Sequence, residues 1–156
     1  MRSIPLTFAL MLGGALAALA GPAPKYAVAE LPAALRENAH AVERRHDELL
    51  TVKSASRTVE TVLRATTILD EAGSRWASEL VYYSSLNRIG YFRGAVYDAS
   101  GRQLRRLLSQ DIRDISLSDG FSLATDARGR VADLSQPTYP YTVEFEYEVV
   151  SDNALF

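Results

Sequence analysis

No cysteine occurs anywhere in the 156 residues. That absence excludes a disulfide framework, a thiol nucleophile and a lipid anchor attached to an amino-terminal cysteine. Histidine is nearly absent too, with only His40 and His46. The chain also lacks a Gly-x-Ser-x-Gly nucleophile elbow, a glycine-rich phosphate loop and zinc-ligand spacing. An enzyme is therefore not expected on this chain, and no catalytic, cofactor-binding or metal residue is assigned.

Long hydrophobic runs are missing except at the start. Met1 to Ala20 has one positive charge, Arg2, then the uncharged run IPLTFALMLGGALAALA, closed by the small-residue triplet Ala18-Leu19-Ala20. This is the pattern of a signal peptide. A membrane-spanning helix needs about 20 apolar residues with suitable flanks, whereas Gly13, Gly14 and Gly21-Pro22 shorten and break this run. Export is expected, to periplasm or exterior, with no stable membrane span after cleavage. Removal of residues 1–20 takes one basic residue and no acid, which leaves 16 basic against 19 acidic residues. That balance offers no electrostatic case for nucleic acid. The remaining 136 residues suit one domain with a hydrophobic core.

Residues 21–30, GPAPKYAVAE, read as a linker, and residues 31–156 as the domain. Pro32 fits a first helical turn, and Ala33 to Glu37 are good helix formers, so one short helix is expected over Leu31–Asn38 with extended chain from about Ala41. A competing reading carries the helix through Leu50. Beyond residue 50 the punctuation is that of a β-protein. The strand-like SRTVETVLRATTIL ends in DEAGSRW, where Gly73 can supply a positive φ, and a return strand from Arg75 through WASELVYYS would make a hairpin. NRIGYFRGAVYDASGRQLRRL repeats that grammar around Asp98-Ala99-Ser100-Gly101. Short strands and loops follow, with turns at Asp119-Gly120 and Asp126 to Gly129. Pro137 and Pro140 bracket the start of the last strand, PYTVEFEYEVV. There Tyr141, Val143, Phe145, Tyr147 and Val149 share one face, and Thr142, Glu144, Glu146 and Glu148 the other. An antiparallel β-sandwich or open barrel is expected, with one short amino-terminal helix.

Each residue set with chemical potential has a plainer reading. His40 and His46 lie on one strand face but about 20 Å apart at roughly 3.3 Å per residue, too far to share an ion with Glu43 or Asp47. Asp111, Asp114, Asp119 and Asp126 lack the tight alternate spacing of a calcium loop and read as turn and surface aspartates. Tyr82, Tyr83, Tyr91, Phe92, Tyr97, Tyr139, Tyr141 and Tyr147 would make a platform for peptide or sugar, but such rings mostly fill cores and cross-strand pairs. Arg102, Arg105 and Arg106 read as a solvated strand face.

The order LPAALRENAHAVERRHDELLTV, TILDEAG, GAVYDASGRQLRRL, SDGFSLATDARGRV and YPYTVEFEYEV resembles the domain of unknown function that precedes transglutaminase-like domains in secreted bacterial proteins. It spans about residues 30 to 152. The resemblance implies a β-sandwich at the head of a longer exported protein, without catalytic residues of its own. In similar proteins the chain continues past the strand matching TVEFEYEV into more sandwich and then a domain with Cys, His and Asp. Here the sequence stops at Phe156, so a fragment and a domain that works alone are both open; if it is a fragment, the strand at 141–149 is expected to lack a neighbour along an exposed edge. Two functions follow. One is a noncatalytic structural or interaction module of an envelope protein, partnered by a transglutaminase-like domain or another envelope protein. The other is a stand-alone binding protein for an envelope peptide or glycan.

Overall fold

The computed structural model describes residues 23–117 and 126–152. The expected signal peptide and the Asp119-Gly120 turn lie outside them. Two antiparallel sheets carry the fold, as the strand patterns predict. The larger sheet contains β1 (Ala41–Ser54), β2 (Arg57–Ile68), β4 (Asn87–Tyr97), β5 (Gln103–Arg106) and β8 (Tyr141–Ser151), in the order β1-β2-β8-β4-β5. The smaller has β3 (Ser78–Tyr83), β7 (Arg128–Asp133) and β6 (Ile112–Ser116), in the order β3-β7-β6. A single helical turn, α1 (Ala33–Arg36), precedes β1, and Asn38 ends it in the left-handed region at φ 57°. Asn tolerates that conformation better than most residues. The chain is extended from Ala41, so the helix does not run through Leu50.

The core lies between the sheets. Ile68, Val96, Leu134, Tyr141, Val143 and Phe145 are fully buried there, with Ala77 and Ala132 from the smaller sheet's side. Burying each large side chain contributes about 1.5–3 kcal/mol. Period two on β8 decides which residues take part: Tyr141, Val143 and Phe145 face inward, while Glu144, Glu146 and Glu148 face outward. Thr142 departs from its expected wet position. It is fully buried, its hydroxyl 2.8 Å from that of Thr67 on β2.

Three expectations are corrected. β2 and the return strand from Arg75 do not form a hairpin. β2 already has β1 on one side and β8 on the other, so no edge remains for β3. The chain instead makes a 3-10 turn, Glu71–Ala77, and crosses to the smaller sheet. Gly73 has no positive φ; a Cβ there would stand 2.1 Å from the His40 carbonyl oxygen, so glycine permits close backbone approach instead. Finally, β8 is not short of a neighbour: β2 and β4 pair with it along its length, and it is the central strand of its sheet. The second expected hairpin forms between β4 and β5, where Asp98 Oδ1 accepts from the Ser100 and Arg102 amides at 2.9 and 3.0 Å. Of the ten residues read as a linker, Lys25–Glu30 pack on the domain, with Lys25 N–H donating to Gly101 O and Val28 N–H to Ala99 O.

Candidate interaction surfaces

Glu144 is the first polar centre. β8 turns it outward, and the amino-terminal segment closes over it. The Lys25 ammonium and the Tyr26 hydroxyl both donate to Oε2, the latter at 2.5 Å, and the Tyr97 hydroxyl donates to Oε1 at 3.3 Å. The rings of Tyr26 and Tyr97 meet edge to face at 5.6 Å, with the Lys25 ammonium near both. Burial, then the neighbouring carboxylate, pushes the Tyr97 phenol up to about 12 and raises Tyr26 as well. Arg44 interrupts the regular pairing of β1 and β2. Its guanidinium donates to the carbonyls of Tyr26 and Ala27 at 3.2 and 3.4 Å and to Thr67 Oγ1 at 3.3 Å. Tyr26 sits at φ 63°, a backbone state that costs roughly 1–3 kcal/mol for a non-glycine residue. Three donors on one carboxylate and three acceptors around one guanidinium supply that cost. The arrangement fastens a strap.

The second centre lies at the mouth between the sheets. Asp114 accepts from the Tyr83 hydroxyl at 2.5 Å and from Arg128 at 2.9 and 2.6 Å, and Arg128 Nε also donates to Tyr83 at 2.8 Å. Tyr83 and Arg128 hold its carboxyl below the usual range. Arg130 stands 3.9 Å from the same carboxylate, over the Tyr83 ring. A cavity of ≈ 410 Å³ opens here, lined by Phe92, Ser109, Ile112, Asp114 and Arg130. Elsewhere between the sheets, Arg64 of β2 pairs with Glu79 of β3. Burial raises Glu79 in spite of that guanidinium, and Glu60 is raised by burial and by Glu48 across the β1-β2 pair.

The residues singled out in the sequence are mostly dispersed. His40 Nδ1 meets Asp70 at 2.8 Å, while His46 Nδ1 lies 3.5 Å from Glu43. Asp111 faces Arg105, and Asp126 accepts from the Ser85 amide at 2.9 Å, so the described aspartates serve separate contacts. Asp119 lies outside the described residues. Tyr139 and Tyr141 meet in the core region with rings tilted by 36°, and Phe92 packs on Phe145 and Tyr147, whereas Tyr82 is exposed. The three arginines separate: Arg102 returns to Asp98, Arg105 reaches the Asp133 carbonyl, and Arg106 lines an outer groove with Arg93. Lys25, Tyr26, Arg44 and Glu144 escape sequence reasoning because only the strap's path brings them together.

The third surface is apolar. β1 forms one edge of the larger sheet, and its distal half exposes Leu49, Leu50 and Val52 at 63%, 58% and 59%. Among the described residues no helix is long and apolar enough to cross a membrane.

Comparison with known proteins places the fold. The model of the family described as Domain of Unknown Function with solved structure, DUF3857, matches residues 54–156. The crystal structure of a proposed protease from Parabacteroides distasonis is similar over 74% of this chain and 24% of its own length, with TM-score 0.62 and 10% identity. The present chain thus spans about a quarter of that protein. At such low identity the likeness is one of fold. No curated protein matches the chain.

Proposed function

The chain belongs to the DUF3857 family, and from that premise we propose that it is a noncatalytic structural or interaction module of an exported bacterial envelope protein, of the kind that precedes a transglutaminase-like domain. The observation that carries this reading is how the reactive side chains are occupied. Glu144 closes on Lys25, Tyr26 and Tyr97, Asp114 closes on Tyr83 and Arg128, and His40 closes on Asp70. These three groups are each engaged in fastening one segment of the fold to another. Supporting it, a similar fold occupies a minor part of a longer solved chain. Export follows from the apolar run before Ala20.

A second reading, a binding protein for an envelope peptide or glycan, is favoured by the cavity between the sheets, where the apolar Phe92 and Ile112 face Arg130. The test of the first reading is turnover of amide, ester and glycoside substrates by protein purified from an exporting host. None is expected. Activity that survives repurification and disappears with one point substitution overturns it.

A further inference from the structure

We propose that β1 is a self-association edge, and that two copies of this chain pair antiparallel through it about a two-fold axis centred on Leu50. β1 runs for 14 residues, and among the described residues only β2 pairs with it. Its other side therefore offers a row of backbone donors and acceptors, the usual template for strand addition. Natural edges are blunted by charge, and the proximal part of β1 has it: Glu43, Arg45, His46, Asp47 and Glu48. The distal part does not, since Leu49, Leu50, Thr51 and Val52 follow in succession with the three aliphatic side chains exposed.

The sequence of β1 selects both the occupant and the register. A two-fold axis normal to the sheet keeps facing residues on the same side, so only registers centred on a residue are allowed. Centring on Asp47 or Glu48 sets that carboxylate against its own copy, and centring on Leu49 sets Arg45 against Lys53. Like charges directly opposite are destabilising. Centring on His46 drives the partner's hairpin tip toward the proximal end of β1, which α1 and the Glu71–Ala77 turn already contact. Centring on Thr51 shortens the overlap and loses the charge pair described next. With Leu50 at the axis, Leu50 meets Leu50, Leu49 meets Thr51 and Val52 meets Glu48, and Lys53, the extra residue of the bulge between Val52 and Ser54, falls beside Asp47 of the second copy, twice by symmetry. No like charges oppose one another. Among the described residues of one chain Asp47 pairs only with the exposed Arg45, a contact worth little in water, which leaves it available to Lys53 of the second copy. The distal half of the edge is thus complementary to itself, which is what a two-fold interface requires.

The pairing is independent of whether the domain precedes an enzyme. Its test is sedimentation equilibrium of the purified chain up to about 100 μM, a range in which even a micromolar pairing is mostly formed. A concentration-dependent dimer is expected. Leu50→Lys, an exposed position, should halve the mass at the highest concentration while leaving the circular dichroism and cooperative unfolding unchanged. Asp47→Lys should weaken the dimer at least tenfold, and Asp47→Lys combined with Lys53→Asp should restore it, an outcome specific to the register centred on Leu50. A monomer throughout overturns the proposal, as does a dimer that persists in Leu50→Lys or a charge swap that fails to rescue. Heterologous capture of an extended strand from another protein by a monomeric chain also overturns it.

Discussion

The hydroxyls of Thr67 and Thr142 meet at 2.8 Å with both side chains fully buried. They stand opposite each other on β2 and β8, on the outer face of the larger sheet, and Arg44 donates to Thr67 at 3.3 Å. A buried hydroxyl that loses its partner costs about 1–3 kcal/mol, more when the partner is charged. Thr142→Val orphans one hydrogen bond, whereas Thr67→Val removes the acceptor from Arg44 as well. Both should destabilise the fold, with Thr67→Val the worse, and urea denaturation of the two variants gives the order.

Phe145 and Glu146 are neighbours on β8 with opposite environments, one buried and one facing outward. Phe145→Ala should cost about 3–5 kcal/mol, the range for removing a buried ring. Among the described residues Glu146→Ala loses only the Tyr91 hydroxyl contact at 3.0 Å on the outer face, and it should stay within about 0.5 kcal/mol. Equal losses would show that alternation on this strand does not report burial.

That contrast marks what the chain makes legible. Period two on β8, the Asp98 to Gly101 turn and the stop at Asn38 are local signals, and the structure has all three where the pattern puts them. The failures involve partners distant in sequence. Nothing in DEAGSRW says that β2 is already flanked by β1 and β8, so a local turn signal reads as a hairpin where the chain crosses to another sheet. Thr142 looks wet because its hydroxyl partner Thr67, and the Arg44 guanidinium that meets Thr67, lie far away in sequence. The Glu144 centre is hidden for the same reason, since Lys25 and Tyr26 lie in a Pro- and Ala-rich stretch with the look of a linker.

The strap depends on Gly101, which has φ +85° and would bring a Cβ within 2.9 Å of the Lys25 backbone. Gly101→Ala should cost more than about 1 kcal/mol, because alanine is strained at that φ and has no room there. The loss should also be local. Hydrogen exchange at the Lys25 and Val28 amides, which donate to Gly101 and Ala99, should quicken more than exchange along β8. Uniform acceleration would mean that the strap has no stability of its own to lose.

Tyr97 reports the same strap spectroscopically. Burial and Glu144 push its phenol up to about 12, so its ionisation should appear late in an alkaline ultraviolet titration. Glu144→Gln removes the negative charge while keeping a carbonyl acceptor, so the Tyr97 transition should move to lower pH. An unmoved transition would show that Glu144 does not contribute to the shift.

Glu60 supplies a prediction in pH. Burial and the nearby Glu48 raise its carboxyl above the ordinary value, so the folded state binds its proton more tightly than the unfolded chain does. The sign follows from linkage: a group whose pKa is raised on folding contributes stability in full below its unfolded value, near 4.3, and loses it as pH rises through the folded value. Glu60 therefore supports the fold less at neutral pH than at pH 4. Glu60→Gln keeps the shape and removes the charge. It should raise the urea midpoint relative to the unsubstituted chain at pH 7 and change it less at pH 4. A gain of equal size at both values would mean that the substitution acts through packing or the unfolded chain, and that Glu60 and Glu48 do not repel each other in the folded state.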